Sequence, residues 1–368
     1  MFERRDVWVL GSEADPWDPI LRWYARAINV LKGRPRTNPT SWDYLAAIHG
    51  TSIPRSQWPQ GATWHECQHD SWFFLPWHRI YLHYFERIVR RTIKDLSGPD
   101  DWALPYWDYS GTQRPDVRKL PPAFRAQQMP SGDPNPLFVS ERIQNINGGG
   151  KLDATDVETG AAMAETSFAG PADPIAGFGG GVTGWNHSGG PRGSMENVPH
   201  GSVHGGVGGW MSSFNTAALD PIFWLHHANI DRLWEAWLGQ HNPDRRNPTR
   251  ARWRDMSFKV GQGPQAVTLT VREVLDTTQP PLNYTYSDVS VRRWLPVRFS
   301  PRGLRWRPCS RGRAQCPKTK NLSRRWLAPA RIGCRWPPNP PKSRLPSNHL
   351  RDPRLGRGLK ERSPARST

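Results

Sequence analysis

Apolar residues recur with helical spacing in two long stretches of the chain. From Trp77 to Ile93 they form one stripe with Arg and Glu residues opposite, and a second stretch runs from about Ile222 to Leu238. Spacings of three and four residues place side chains on one helix face, which predicts two amphipathic helices. The pattern also predicts helix in residues 1–50, including a segment from Thr40 to His49 that stops at Gly50.

The remaining stretches have other patterns. Residues 51–71 contain several Pro and Gly residues and are expected to form a loop. Residues 110–195 are rich in Gly and Pro, which predicts a long irregular excursion. Alternating apolar positions between residues 267 and 291 indicate strands. The fold class is therefore predicted to be mainly α, with a helical bundle core, long irregular loops and a few short strands.

Charge divides the chain into two parts. Residues 297–368 carry 20 Lys and Arg against 2 acidic residues, whereas residues 1–296 carry 30 basic and 30 acidic residues. We therefore predict one domain over 1–296 and a basic, Arg- and Pro-rich tail over 297–368 that is expected to be disordered. Nucleic-acid binding through this tail is a remote alternative function, because a charge run is compositional evidence only.

Composition also bears on disulfides and membrane spans, but it leaves the compartment open between the cytoplasm and export by an unseen route. Cys67 is the one cysteine in residues 1–296, which excludes an internal disulfide framework there. No apolar run of about 18 residues is present, so no membrane span is expected. The first ten residues lack a long apolar segment, and no Sec signal peptide is expected.

Histidines are spaced as metal ligands often are. His200 and His204 lie four residues apart and share a face if the segment is helical. His69 and His78 form a second group, with His78 expected in the first helical turn. Imidazole suits zinc, copper, iron and nickel, and the set lacks the carboxylates that magnesium and calcium prefer. A zinc hydrolase thus remains possible on spacing alone.

Other histidines carry weaker signals. His226 and His227 open the second amphipathic helix, where only one of two neighbours is expected to face inward. His83, His187 and His241 stand alone and are expected to be structural or exposed.

Three longer motifs carry a resemblance to a known family. They are QHDSWFFLPWHR at 68–79, ENVPHGSVHGGVGG at 196–209 and DPIFWLHHANIDRLW at 220–234. Each resembles a copper-binding segment of the tyrosinase, catechol oxidase and haemocyanin family. LPYWDY at 104–109 and YTY at 284–286 are also similar to motifs of that family. The resemblance covers about residues 1–290 and does not extend into the basic tail.

The resemblance implies two copper ions, each held by three histidines. The first copper would take His49, His69 and His78, and the second would take His200, His204 and His227. His226 would be a neighbour of the second copper. His65 competes with His49 for the first position, and His49 is preferred because it ends a predicted helix.

Two further residues would contact the ligands. Cys67 and His69 form a C-x-H arrangement similar to that of family members in which the sulfur is bonded to the imidazole as a thioether. The alternative is a buried free thiol. Phe223 lies one helical turn before His227 and would pack on its ring, or belong simply to the core.

The resemblance also implies residues that tune the reaction. Glu196 matches a glutamate that orders a water near the second copper, or else is a carboxylate at a helix start. Gly201 stands where many hydroxylating members have Asn, and Phe214 matches a bulky residue gating the first copper. Both positions argue against strong monophenol hydroxylation. Asp231 and Arg232 are expected to form a structural ion pair.

The function implied is oxidation of o-diphenols to o-quinones by a dicopper oxidase. Its partners would be a phenolic small molecule and dioxygen, and the sequence gives no oligomeric state. A haemocyanin-like reversible oxygen carrier would use the same six ligands, so catechol turnover rather than sequence distinguishes the two.

Overall fold

The computed structural model describes residues 1–111, 114–240 and 245–290. The predicted tail and His241 lie outside the described residues. The helices are α1 Pro19–Lys32, α2 Trp42–His49, α3 Phe74–Asp95, α4 Pro122–Arg125, α5 Gln144–Asn147, α6 Gly160–Ala164, α7 Ser202–Val207, α8 Pro221–Gly239 and α9 Ala251–Arg254. The strands are β1 Phe2–Arg4, β2 Ser257–Val260, β3 Val267–Thr270 and β4 Tyr284–Tyr286.

Helices α3 and α8 pack together at the centre of the fold. Both were predicted from their apolar stripes, and both are confirmed. The Phe85 ring of α3 stacks on Trp224 of α8 with centroids 3.5 Å apart, in a core built largely from aromatic side chains. Helix α3 begins three residues earlier than expected, so His78 lies in its second turn and not its first.

Helices α1 and α2 pack beside this pair and have clear start signals. The Asp18 carboxylate accepts a hydrogen bond from Ile20 N at 2.8 Å, and Ser41 Oγ accepts one from Tyr44 N at 3.1 Å. These side chains satisfy amide groups that a helix start leaves without partners. Helix α2 ends before Gly50 as predicted. The helix prediction is wrong at residues 2–4, which form β1.

The strands form two small sheets at the edges of the helical core. Strand β1 pairs in parallel with β4, so the chain start lies beside the YTY segment. Strand β2 pairs with β3 in antiparallel fashion. Strands were predicted between residues 267 and 291, and β3 and β4 confirm this in part. A short 3₁₀ turn at Arg272–Val274 interrupts the stretch.

The excursion predicted over residues 110–195 is confirmed in its described part. It contains only the short helices α4, α5 and α6 between irregular segments. The fold is mainly α, as predicted. Across the described ranges, no helix combines the length and the apolar character needed to cross a membrane.

Candidate metal centre

Six buried histidines, each from a different segment of the fold, converge on one region. All are at most 5% exposed. His49 is the last residue of α2, His69 lies in the loop before α3, and His78 lies on α3. His200 lies in a π-helical turn at Glu196–Gly201, His204 on α7, and His227 on α8.

The histidines form two adjoining groups of three. In the first, ring centroids of His49, His69 and His78 are 5.1 to 5.6 Å apart. In the second, those of His200, His204 and His227 are 4.6 to 5.5 Å apart. His78 and His227 stack at 4.5 Å across the boundary, so the two groups could hold two metal ions close together.

Backbone carbonyls fix the ring orientation of four of these histidines. The carbonyls lie 2.7 to 3.0 Å from the Nδ1 atoms, in the pairs His49 with Phe214, His78 with Phe74, His200 with Glu196, and His204 with Met211. A carbonyl can only accept, so each Nδ1 carries the proton and each Nε2 has a free lone pair. This is the tautomer that binds metal through Nε2.

The Nε2 atoms have no competing partners. Those of His49, His78 and His200 lack a hydrogen-bond partner among the described residues, as do both ring nitrogens of His69. The Nε2 atoms of His204 and His227 face each other at 3.3 Å. Buried polar atoms without partners are costly, and metal ions bound in the two groups would give each of these histidines a partner for one ring nitrogen. The site therefore fits metal binding by imidazole.

The electrostatics of the site favour neutral imidazole. Burial lowers the pKa of all six histidines, to about 3 for His78 and about 4 for His204. At His49, neighbouring imidazoles lower the pKa further. All six are therefore neutral at pH 7, which is the form that ligates metals.

His49, and not its competitor His65, lies beside His69 and His78. The half-buried His65 ring lies against His187, with centroids 4.0 Å apart. Of the two, His49 is the one whose ring contacts those of both His69 and His78.

Cys67 lies beside the first group. It is fully buried, and its Sγ lies within 4.8 Å of a potential ligand nitrogen of both His49 and His69. The same sulfur is 3.4 Å from His187 Nδ1, which also donates to the Cys67 carbonyl at 2.9 Å. His187 was expected to be structural or exposed, and it holds the Cys67 loop. Sequence gave no signal for this contact.

Glu196 lies against the loop that carries His69. Both carboxylate oxygens accept from the Asp70 backbone N–H, at 2.8 and 3.0 Å. Burial raises the pKa of Glu196 to about 8. Gly201 follows His200 and has room for a side chain, because the nearest atom to an added Cβ is the Glu196 carbonyl oxygen at 3.4 Å.

Two phenylalanines line the histidine groups. The Phe214 ring lies 4.6 Å from His69 and 6.4 Å from His49, over the first group, as the resemblance implied for a gate. The Phe223 ring packs on His227 at 4.2 Å and meets His49 edge-on at 5.0 Å. Phe223 therefore contacts both groups.

His226 departs from expectation. Only one of the two neighbouring histidines was expected to face inward, yet His226 and His227 are both buried. The His226 ring stacks on His200 at 5.5 Å, and its Nδ1 lies 3.2 Å from the Tyr109 hydroxyl. Helix α8 is buried on nearly all sides, so both neighbours meet protein.

The prediction of an ion pair between Asp231 and Arg232 is wrong. Asp231 bonds Arg79 at 2.6 Å and Arg4 at 3.3 Å, whereas Arg232 pairs with Asp108 at 3.1 Å. Adjacent helix residues point in different directions, so each finds its own partner.

Comparison with known proteins agrees with this site. Residues 39–161 and 145–240 match the family described as the common central domain of tyrosinase. The chain is 42% identical over 294 residues to a tyrosinase of Hahella sp. (strain CCB-MM4), covering 73% of this chain and 61% of that protein. It is 30% identical over 341 residues to the latent form of a chloroplastic polyphenol oxidase of Prunus armeniaca, covering 87% of this chain and 52% of that one.

Solved structures agree in fold. The crystal structure of Grenache (Vitis vinifera) polyphenol oxidase superposes with a TM-score of 0.59 at 24% identity, covering 78% of this chain and 85% of that one. The chain spans about half to three fifths of the length of the curated relatives above. The matched domain spans more than half of the chain and contains all six clustered histidines. The chain therefore belongs to the tyrosinase family.

Proposed function

We propose that this chain is a copper oxidase that converts o-diphenols to o-quinones with molecular oxygen. The observation that carries the proposal is the set of buried Nε2 atoms without partners, on rings whose Nδ1 atoms are held by carbonyls. We assign the first copper to His49, His69 and His78, and the second to His200, His204 and His227.

Copper is favoured over zinc by the family. Neutral imidazole suits both metals, so the donor set alone leaves the choice open. The relatives are named as a tyrosinase and polyphenol oxidases, which are oxidases rather than hydrolases. A redox metal is required for such chemistry, and zinc has no redox activity.

The chain's own residues orient and shield the reaction. When bound, two copper ions supply the electron transfer and the activation of dioxygen. Two diphenols each lose two electrons and two protons. One O₂ takes up the four electrons and four protons and becomes two waters. Hydrogen bonds donated by Nδ1 to backbone carbonyls hold the imidazoles in place, while the rings of Phe214 and Phe223 pack against the histidine groups.

Glu196 is proposed to position a water that receives the phenol proton. Its pKa is raised by burial, but two nearby copper ions would lower it again, because positive charge favours the carboxylate. With Gly201 beside His200, no side-chain amide is present to fix that water. Diphenols lose protons more readily and need no oxygen insertion. We therefore propose that diphenol oxidation is strong and monophenol hydroxylation weak.

A thioether between Cys67 and His69 is also proposed. The sulfur is buried and close to the imidazole, in the C-x-H arrangement. Bond formation would remove the thiol hydrogen and one ring hydrogen, with dioxygen as the acceptor of the two electrons and two protons.

Metal analysis with oxygen uptake on catechol tests the assignment. Wild type should hold two coppers per chain and consume oxygen. His204→Ala and His49→Ala should each lose copper and activity, because each removes one of three nitrogens. His65→Ala is the matched control and should keep both coppers. A protein that stays inactive after copper loading would contradict the oxidase function. Copper loss in His65→Ala but not in His49→Ala would contradict the assignment of His49 as a ligand.

A further inference from the structure

One short segment, Met211–Phe214, contacts both histidine groups through its backbone. The Met211 carbonyl accepts from His204 Nδ1 at 2.7 Å, and the Phe214 carbonyl accepts from His49 Nδ1 at 3.0 Å. His204 belongs to the second group and His49 to the first. The position of this segment therefore affects the ring orientation of one proposed ligand of each copper.

The same segment carries the Phe214 ring over the first group. That ring lies 4.6 Å from His69, and its position follows the backbone that carries it. Further along the chain, Trp42 Nε1 donates to the Leu219 carbonyl at 3.1 Å and ties the polypeptide to α2. Ligand orientation and the position of the Phe214 ring over the first group thus depend on one piece of backbone.

Gly50 determines how closely this segment approaches. A Cβ at Gly50 would lie 2.2 Å from the Phe214 carbonyl oxygen and 2.8 Å from its carbonyl carbon. The Gly50 backbone is extended, with φ −169 and ψ 155, a conformation open to any residue. The glycine is therefore required for space and not for backbone freedom.

We propose that Gly50 is a positioning residue that seats the Met211–Phe214 segment, and so both orients His49 toward the first copper and limits the size of the phenol admitted. This inference rests on the proposed function for its substrate class. Ordinary contact begins at 3.4 Å, so a methyl group at Gly50 must move the carbonyl by about 1.2 Å. A shift of that size is enough to break the 3.0 Å bond to His49.

Gly50→Ala tests the inference, with Gly33→Ala as the matched control. Gly33 also ends a helix, α1, but a Cβ there meets only Val30 and Asn29 carbonyls at 3.5 Å or more. The first readout is copper release by bathocuproine disulfonate under reducing conditions. We expect one of the two coppers to leave Gly50→Ala at about 10- to 100-fold lower chelator concentration, as is typical when a bond orienting a ligand is lost.

The second readout compares catechol with 4-tert-butylcatechol on copper-saturated protein. We expect the ratio of kcat/KM for the bulky to the small diphenol to rise about tenfold in Gly50→Ala, mainly through KM, since the ring of Phe214 retreats. Gly33→Ala should match wild type in both readouts. Wild-type copper release or a wild-type substrate ratio in folded Gly50→Ala would overturn the inference.

One outcome separates this inference from the proposed function. If the wild-type protein holds two coppers but oxidises no diphenol, the proposed function is refuted. The comparison of copper release between Gly50→Ala and wild type then still decides whether Gly50 orients His49. If Gly50→Ala gives no folded protein, Phe214→Ala replaces it. Phe214→Ala keeps the backbone carbonyl that accepts from His49, so it must retain both coppers. Because it removes the ring, it must raise the ratio of kcat/KM for 4-tert-butylcatechol to that for catechol. An unchanged ratio overturns the inference.

Discussion

Asp231 joins the two helices that carry His78 and His227. It lies on α8 one turn after His227, and its carboxylate accepts from Arg79 Nε of α3 at 2.6 Å. The hydroxyls of Tyr284 and Tyr286 donate to it at 2.5 Å each, and Arg4 Nη1 lies 3.3 Å away. Asp231 is 4% exposed, so the group is sealed from solvent.

Asp231→Asn should destabilise the protein strongly at unchanged side-chain volume. It removes the negative charge that faces two buried guanidinium groups, those of Arg4 and Arg79. Loss of one partner from a buried ion pair costs about 3–5 kcal/mol. At about 2–4 °C per kcal/mol for a protein of this size, the thermal midpoint should fall by roughly 6–20 °C. Copper-free protein is the cleaner sample, because bound metal adds its own stabilisation.

The assay is urea unfolding of the copper-free protein at pH 7, followed by circular dichroism. Asp255→Asn is the control, since Asp255 pairs with Arg272 at 2.5 Å with both side chains more than half exposed. Such exposed pairs contribute about 0–1 kcal/mol. Arg4 and Arg79 would keep their second partners, Glu86 and Glu235, each at 2.6 Å. A fall of less than about 1 kcal/mol in Asp231→Asn would refute the reasoning that these two remaining carboxylates leave the buried guanidinium charge undercompensated.

The difference between wild type and Asp231→Asn should depend on pH. Burial acts to raise the pKa of Asp231, but Arg79 and Arg4 outweigh it and the pKa lies below its ordinary value. A carboxyl with a lowered pKa stabilises the fold above its unfolded pKa of about 3.9, and this contribution is lost as the pH falls through the folded value. The stability difference should therefore be constant near neutral pH and shrink in acid.

Three further predictions concern the site and the chain end. Peptides containing Cys67 and His69 should be two hydrogens lighter than calculated, and full alkylation of Cys67 in denatured, copper-loaded protein would exclude the thioether. Gly201→Asn should raise tyramine hydroxylation relative to dopamine oxidation by up to about 10² by fixing the water beside Glu196, and wild type that converts tyramine as fast as dopamine would contradict this. Removing residues 301–368 should lower the isoelectric point and preserve catechol oxidation, and an insoluble product would count against it.

Side-chain patterns predicted the central helices and the spacing of His69 with His78 and of His200 with His204, whereas the two groups of three histidines came from the family resemblance. The stripes in α3 and α8 are confirmed because burial of one apolar face produces a regular spacing. The same logic failed for His226, since α8 is buried on nearly all sides and both neighbouring histidines pack on protein. It also failed for the partners of Asp231, because Arg4 and Arg79 are distant in sequence and only the folded chain brings them together.

Contacts made by the backbone left no trace in the sequence. Met211 and Phe214 hold His204 and His49 through carbonyl groups, which every residue type carries. Gly50 was visible only as a signal for the end of α2. Glycine usually ends helices because it adopts a left-handed conformation, but Gly50 is extended. The helix end was thus predicted correctly, but from a property of glycine that Gly50 does not use. Gly50 is needed because the Phe214 carbonyl, 164 residues later, packs against it.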